Sequence, residues 1–181
     1  KIKGEIFLVG CLAYVLENKM EKLQGPFAQL WLEAWRAGFS SKLSANASYD
    51  EIRELALSYN DEQMDSLKQH VTSKFYEILE TKHENADGDE WSAELFPASN
   101  HPVSDAVFYN ENTGERIEIN YKFTENPNYI ESHIQLHPHI PIKTTPEIAD
   151  KINSPLVEGG KYKYETVHEM SEDNFEEILE Q

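Results

Sequence analysis

The chain has 181 residues, 39% of them hydrophobic and 11% aromatic, which is enough for one good core or for a core with a helical extension. Its 16 basic and 33 acidic residues give a formal net charge of −17. Because duplex binding draws much of its affinity from phosphate neutralisation, this balance disfavours unaided nucleic-acid binding. The single cysteine, Cys11, excludes an intrachain disulfide and a thiolate-rich zinc site, and no apolar run reaches the roughly 18 residues that predict a membrane span.

The first part of the chain carries one targeting-like pattern. Leu8-Val9-Gly10-Cys11 resembles the lipobox of bacterial lipoproteins, in which the cysteine is acylated. Glu5 interrupts the basic-then-apolar order that such a signal has, so a buried cysteine on a helix is the favoured interpretation. We therefore expect a cytoplasmic protein, with a lipoprotein anchored through Cys11 as the alternative.

The N-terminal region is predicted to be helical. An apolar and then charged segment covers residues 6–23, and Gly25-Pro26 ends it. Trp31 and Trp35 follow at helical spacing. We interpret them as core or interface residues, since a base-stacking platform would have more cations near it.

A change of composition then predicts a boundary. Small polar residues form a linker over residues 44–48, and Asp50 is the expected N-cap of a short helix over residues 49–59. We expect a helical N-terminal region over residues 1–60 and an α/β domain over residues 61–181.

A longer helix is predicted to start at Asp61, where acidic residues suit the helix dipole. Its apolar stripe comprises Met64, Leu67, Val71, Phe75, Ile78 and Leu79. Glu77 and Glu80 would be within reach of the following strands, although a solvated helix face is the preferred interpretation of these two glutamates. The acidic loop after the helix contains Asp87 and Asp89 but falls short of a calcium-loop pattern.

A β-hairpin is predicted over residues 101–124, after a strand over residues 91–96. Gly114 lies in its turn, where a positive φ is often needed. In the second strand, apolar residues alternate with a polar set that consists of Arg116, Glu118, Asn120 and Lys122. With Asp105 on the partner strand, this set supplies oxygen ligands for Mg²⁺ or Mn²⁺ and a cation for a reacting phosphate. An ordinary solvent-facing strand surface is the alternative.

The hairpin resembles the PD-(D/E)XK, or restriction-endonuclease-like, nuclease superfamily. In that superfamily an Asp on one strand and a Glu-x-Lys or a variant on the next bind metal and activate water, and Asn120-Tyr121-Lys122 stands at the second position. The resemblance spans roughly residues 61–151 and implies an α+β fold with an αβββαβ core and a mixed sheet. It implies that Asp105, Glu118 and Asn120 hold the metal and that Lys122 completes the catalytic set.

Two residues of this set depart from a simple match. Asn120 stands where the superfamily has an acidic residue, and an amide oxygen brings no charge to hold the cation. Glu118 lies roughly 13 Å along the strand from Lys122, from a rise of ~3.3 Å per residue. Metal affinity therefore depends on whether Glu118 compensates for Asn120.

Three histidines form the second candidate metal site. His133 and His137 lie one turn apart on a helix predicted to begin at Asn126 and to end at Pro138, and His139 follows the proline. They are the less favoured zinc ligands, because neither an HExxH pattern nor a cysteine accompanies them. Structural or surface histidines are the preferred interpretation.

The remaining segments complete the predicted topology. Residues 139–144 are expected to form a strand, and Thr145-Pro146 to open a helix that runs through residue 152. A turn over residues 155–160 and an edge strand over residues 161–167 follow. Ser171 is expected to open a short acidic amphipathic helix.

Two functions follow from these patterns. The first is a divalent-metal-dependent nuclease, a hydrolase that uses the hairpin as its site. The second is a non-catalytic acidic interaction module, either a degenerate nuclease fold or an adaptor, that binds a basic protein partner; the charge balance favours it.

Overall fold

The structure, a computed structural model, describes residues 27–39, 41–97 and 103–180. In chain order these residues form α1 (Ala28–Gly38), α2 (Tyr49–Leu57), α3 (Asp61–Ala86), β1 (Trp91–Leu95), β2 (Ala106–Asn110), β3 (Arg116–Lys122), α4 (Pro127–Leu136), β4 (Ile142–Thr144), α5 (Pro146–Ala149), β5 (Val157–Gly159) and α6 (Tyr164–Glu180). The predicted helix over residues 6–23 and the lipobox-like Cys11 lie outside the described residues.

One mixed sheet forms the centre of the fold. Its strand order is β1-β2-β3-β4-β5, with antiparallel pairing from β1 to β3 and parallel pairing from β3 to β5. The predicted α+β class with a mixed sheet and the predicted element order from α3 to β4 are confirmed. Gly114 in the β2–β3 turn has a φ of 74°, so the predicted need for glycine there is also confirmed.

Two helices begin at capping boxes, in which a side chain at the cap and one three residues later satisfy the first backbone N–H groups. For α2 the cap is Ser48 with Glu51, so the predicted cap at Asp50 is wrong by two positions. Asp50 lies in the first turn, where its charge suits the helix dipole. For α3 the cap is Asn60 with Gln63.

The C-terminal third differs from its prediction. Residues 155–160 include strand β5 rather than only a turn, and the predicted strand over residues 161–167 is largely the first turn of α6. The alternation of Lys and Tyr matched a strand period. Packing decided otherwise, because Tyr164 stacks on Phe123 with ring centres 4.4 Å apart. Ser171 does not open a helix but lies buried inside α6.

Helices from the N-terminal region share one hydrophobic cluster with the sheet and with α6. Trp31 stacks on Phe75 of α3 at 3.7 Å, and Trp35 donates a hydrogen bond to Asn174 of α6 at 2.7 Å. Both tryptophans are fully buried, which confirms their predicted core role. The predicted domain boundary at residue 60 stays a prediction. None of the described helices is both long and apolar enough to cross a membrane.

Candidate active site

The candidate site lies where the two halves of the sheet meet. Pairing between β2 and β3 ends at Ala106 and Ile119, whereas β3 continues to Lys122 along the parallel strand β4. At this point the backbone N–H of Tyr121 donates to Oδ2 of Asp105 at 2.8 Å. The Asp105 carboxylate therefore takes the place that a backbone carbonyl would have in a continuing ladder.

A cleft of about 960 Å³ opens beside this branch point. Its walls come from α3, the end of β3, the start of α4 and the start of α6. The charged residues that line it include Glu77, Asp105 and Lys122. Its volume lies within the range of small-molecule and cofactor sites in proteins.

Glu77 of α3 is the first unusual group in the cleft. It is only 8% exposed, and Lys74 Nζ lies 3.1 Å from its Oε2. Burial, and then the negative charge of Asp105, raise the pKa of Glu77 to about 7, while Lys74 and Lys122 act in the opposite direction. The solvated helix face preferred from the sequence is therefore wrong for Glu77.

Asp105 has the same electrostatic surroundings. Burial raises the pKa of its carboxyl group, and the hydrogen bond from the Tyr121 N–H and the positive charges of Lys74 and Lys122 oppose this rise. Two carboxylates and two ammonium groups thus form one interacting set. Carboxylate oxygens are the ligands that Mg²⁺ and Mn²⁺ prefer, so the set has suitable donors for such a cation.

Lys122 connects this set to an aromatic residue of α4. Its Nζ lies 3.4 Å from the Tyr129 hydroxyl and 5.1 Å from the centre of the Tyr129 ring. Tyr129 is 52% exposed and lines the same cleft. The ammonium group of Lys122 thus interacts both with the two carboxylates and with an exposed aromatic residue of the cleft.

Asn120 and Glu118 do not line the cleft. Asn120 is 4% exposed, and its Nδ2 donates to the carbonyl oxygen of Val103. Its Oδ1 is buried and has no hydrogen-bond partner among the described residues. Glu118 is exposed and accepts a hydrogen bond from Ser104 Oγ at 2.8 Å. Of the four predicted site residues, the structure brings Asp105 and Lys122 together, and the catalytic roles of all four stay predictions.

The sequence around Glu77 contains a signal for burial that the interpretation of a solvated helix face did not use. Glu77 lies within Phe75-Tyr76-Glu77-Ile78-Leu79, where apolar residues surround a single carboxylate. On a helix, a charged residue inside such an apolar run lies next to the buried face. A buried charge requires a partner of opposite charge or hydrogen bonds. The partner, Lys74, lies one helical turn earlier.

Glu80 has a different task from Glu77. It is 2% exposed, and its two oxygens accept the backbone N–H groups of Lys161 and Tyr162 at 3.1 and 2.9 Å. The pKa of Glu80 is raised because the carboxylate is buried, and these two hydrogen bonds partly oppose the rise. Glu80 thus attaches α3 to the segment between β5 and α6, which is a structural role.

The histidines do not converge on one point. The rings of His133 and His137 are 4.8 Å apart, but they are not among the groups of three potential ligands that meet within 4.8 Å in the described part of the chain. Burial, with smaller contributions from Lys122 and His137, lowers the pKa of His133 to about 4. His139 is exposed. A zinc site at these histidines stays a prediction without geometric support.

One acidic cluster does meet that distance limit. It consists of Glu84, Asp87 and Asp89 near the C-terminal end of α3. Glu84 already has a cationic partner, because Lys143 Nζ lies 3.4 Å from its Oε2. This ion pair explains the burial of Glu84 without a metal ion.

The fold and the cleft define an α+β protein with a mixed sheet and a charged cleft at the branch point of that sheet. Comparisons with protein-family models, with curated proteins and with solved structures find no significant match. The resemblance to PD-(D/E)XK nucleases stays a prediction from the sequence.

Proposed function

We propose that the chain is a divalent-metal-dependent phosphodiesterase that acts on nucleic acid, with its reaction centre at the branch point of the sheet. The observation that carries this proposal is the grouping of Glu77, Asp105 and Lys122 around one cleft. Perturbed carboxylates beside a lysine in a cleft are typical of reaction centres. In the resembling superfamily, a helix glutamate often joins the strand aspartate and the lysine.

The donor set fits a divalent cation. Asp105 and Glu77 would hold Mg²⁺ or Mn²⁺, which when bound lowers the pKa of water and stabilises negative charge on a phosphoryl oxygen. Lys122 would stabilise the charge that develops on the phosphate in the transition state. Asp105 is oriented for its role by the Tyr121 N–H, which fixes one carboxylate oxygen.

The acidic surface sets a condition on this activity. With a net charge of −17, the protein repels polyphosphate at long range, so the local cations have to act at short range. In the cleft these are Lys68 and Lys122, together with any bound divalent ion. We expect activity to be detected first on short substrates and with Mn²⁺ in excess.

The test is cleavage of supercoiled DNA, linear DNA, single-stranded DNA and RNA with Mn²⁺ at low salt. The variants are Asp105→Asn and Lys122→Gln, and the matched controls are Glu94→Gln and Lys82→Gln, at exposed positions outside the cleft. We expect the parent and both controls to cleave at least one of these substrates, and both cleft variants to lose about 100-fold or more of that cleavage. Absence of cleavage by the parent at micromolar concentration would contradict the proposal.

Glu118→Gln separates the sequence-based site from the one in the structure. If the metal is held at the cleft, this exchange changes cleavage little, because Glu118 bonds to Ser104 outside the cleft. A loss as large as that of Asp105→Asn would instead support Glu118 as a ligand.

The second candidate function is a non-catalytic acidic module that binds a basic protein. It is favoured by Asn120, which replaces the second acidic residue of the motif and is engaged with Val103. It is also favoured by Lys74, which already neutralises Glu77. Its test is salt-sensitive binding of a basic peptide to the parent in the absence of metal, together with no cleavage of any substrate.

A further inference from the structure

We propose that the cleft contains a subsite for one unpaired nucleobase, formed by Tyr129 and by the ring stack that ends at His168. This inference rests on the proposed function, since it names the substrate form that the same cleft accepts. The shared chemistry is a nucleobase joined to a phosphate, presented by a single strand or by a free dinucleotide.

An aromatic wall runs along one side of the cleft. Phe123 and Tyr164 stack at 4.4 Å with an interplanar angle of 14°, and Tyr164 and His168 are again nearly parallel, at 5.8 Å and 14°. Tyr76 packs on Phe123 at 5.1 Å. All four rings line the cleft, and His168 at the outer end is exposed. When the last ring of a stack is exposed, another flat ring can stack on its free face and bury apolar surface without any change in the fold.

Tyr129 is an aromatic residue of the cleft that does not belong to the hydrophobic core clusters. It is 52% exposed, although its neighbour Ile130 in α4 is completely buried. The Tyr129 hydroxyl lies 3.4 Å from Nζ of Lys122. A nucleotide whose base contacts the Tyr129 ring would therefore have its phosphate near Lys122 and the two carboxylates.

The charge of the chain explains why the base has to be unpaired. Duplex binding relies on many phosphate contacts from basic residues, and this chain has 16 basic against 33 acidic residues. Stacking on an aromatic ring depends on the face of the base and needs no positive field. Duplex bases have no free face along the helix, so only a single strand, an unpaired end or a free nucleotide exposes the surface that this cleft binds.

The test measures binding without metal, so that cleavage plays no part. The probes are a short fluorescent single strand, a strand of the same length with abasic sites, a duplex hairpin and a dinucleotide competitor. We expect the single strand to bind about tenfold more tightly than the abasic strand and the duplex. In Tyr129→Leu and His168→Ala this preference should fall to about twofold or less.

Tyr59→Leu is the matched control, because Tyr59 also contacts a lysine, Lys42, but lies outside the cleft. It should keep the preference for the single strand. Competition by the dinucleotide with an affinity equal to that of the strand would identify a free nucleotide as the source of the base, and weaker competition would identify a polynucleotide. Both results support the subsite only if the parent also binds the single strand more tightly than the abasic strand.

The two proposals fail in different ways. Equal binding of single and abasic strands by the parent overturns the subsite, even if the protein cleaves nucleic acid. A preference for the single strand that Tyr129→Leu and His168→Ala leave intact also overturns it. Absence of cleavage with a tyrosine-dependent preference contradicts the catalytic proposal and leaves the base-binding cleft supported.

Discussion

Lys74 and Glu77, one helical turn apart on α3, form an ion pair with 3.1 Å between Nζ and Oε2. The same Glu77 carboxylate also interacts electrostatically with Asp105. The ion pair is largely buried, with side-chain exposures of 19% and 11%. The ammonium group therefore provides the positive charge that a bound cation would otherwise supply to Glu77. A divalent ion that binds Glu77 has to compete with Lys74.

We predict that Lys74→Gln strengthens Mn²⁺ binding. The exchange removes the competing ammonium group. Because Lys74 lowers the pKa of Glu77, its removal raises that pKa above the parent's value of about 7, so both proteins are compared at pH 8.5 to favour the ionised carboxylate. We expect about fivefold to tenfold tighter binding by calorimetry, which corresponds to roughly 1–1.4 kcal/mol. The exposed Lys82→Gln variant should bind as the parent does. Weaker binding in Lys74→Gln would mean that Lys74 supports the site rather than competing for it.

Stability should decrease as the pH rises in metal-free buffer. The folded-state pKa of Glu77 is about 7 against an ordinary value of 4.5, because burial and Asp105 disfavour its charge. Protonated Glu77 therefore favours the folded state, and this contribution is complete below about pH 4.5 and is lost as the pH rises through about 7. We expect a loss of about 1–3 kcal/mol between pH 5 and pH 8 from this group.

The variant that checks this pH dependence is Glu77→Gln. Because it cannot ionise, its free energy of unfolding should change less with pH than that of the parent, as measured by urea unfolding at several pH values with EDTA present. Parallel pH profiles for the parent and the variant would show that Glu77 does not titrate in this range.

Asn120→Asp should not restore a metal ligand. The exchange removes the amide group that donates to the Val103 carbonyl oxygen and places a charge at a position that is 4% exposed. We expect a loss of about 2–4 kcal/mol in free energy of unfolding. Mn²⁺ should not reverse this loss, since position 120 does not line the cleft. Recovery of stability with Mn²⁺ would instead support the metal set predicted from the sequence.

Gly160→Ala tests the attachment of α3 to the segment before α6. A Cβ atom at this position would lie 2.5 Å from Oε1 of Glu80, the residue that accepts the N–H groups of Lys161 and Tyr162. We expect a loss of about 1–3 kcal/mol, measured by thermal or urea unfolding. In a Glu80→Ala background the same exchange should cost less than about 1 kcal/mol, because the clash is gone. Equal costs in both backgrounds would show that Glu80 does not contact this glycine.

Local signals predicted most of the elements correctly. The hairpin with Gly114, the long helix from Asp61 and the helix that begins after Asn126 were each specified by turn residues, caps and apolar periodicity within one short segment. The segment over residues 161–167 was predicted wrongly because its alternation fits a strand. In the structure residues 164–167 begin α6, and Tyr164 stacks there on a distant residue, Phe123.

For the candidate site, the sequence also indicates some residues that line the cleft and others that do not. Residue type and spacing are sufficient to point to Asp105 and Lys122, because both belong to one hairpin. Glu118 and Asn120 share that pattern, but their orientation depends on contacts with Ser104 and Val103, which period-two geometry does not encode. From the sequence alone, Asp105 and Lys122, which line the cleft, could not be distinguished from Glu118 and Asn120, which do not.

Composition and neighbours a few residues apart are sufficient to specify the α+β class, the acidic charge, the order of most helices and strands and the hairpin that carries Asp105 and Lys122. The folded structure is needed to show that Glu77 and Lys74 join them, that the exposed Tyr129 lines the cleft and that Asn120 does not. These features depend on how α3 and α4 pack on the sheet and on the buried charges that this packing creates. Electrostatic interactions between residues distant in sequence arise only from such packing.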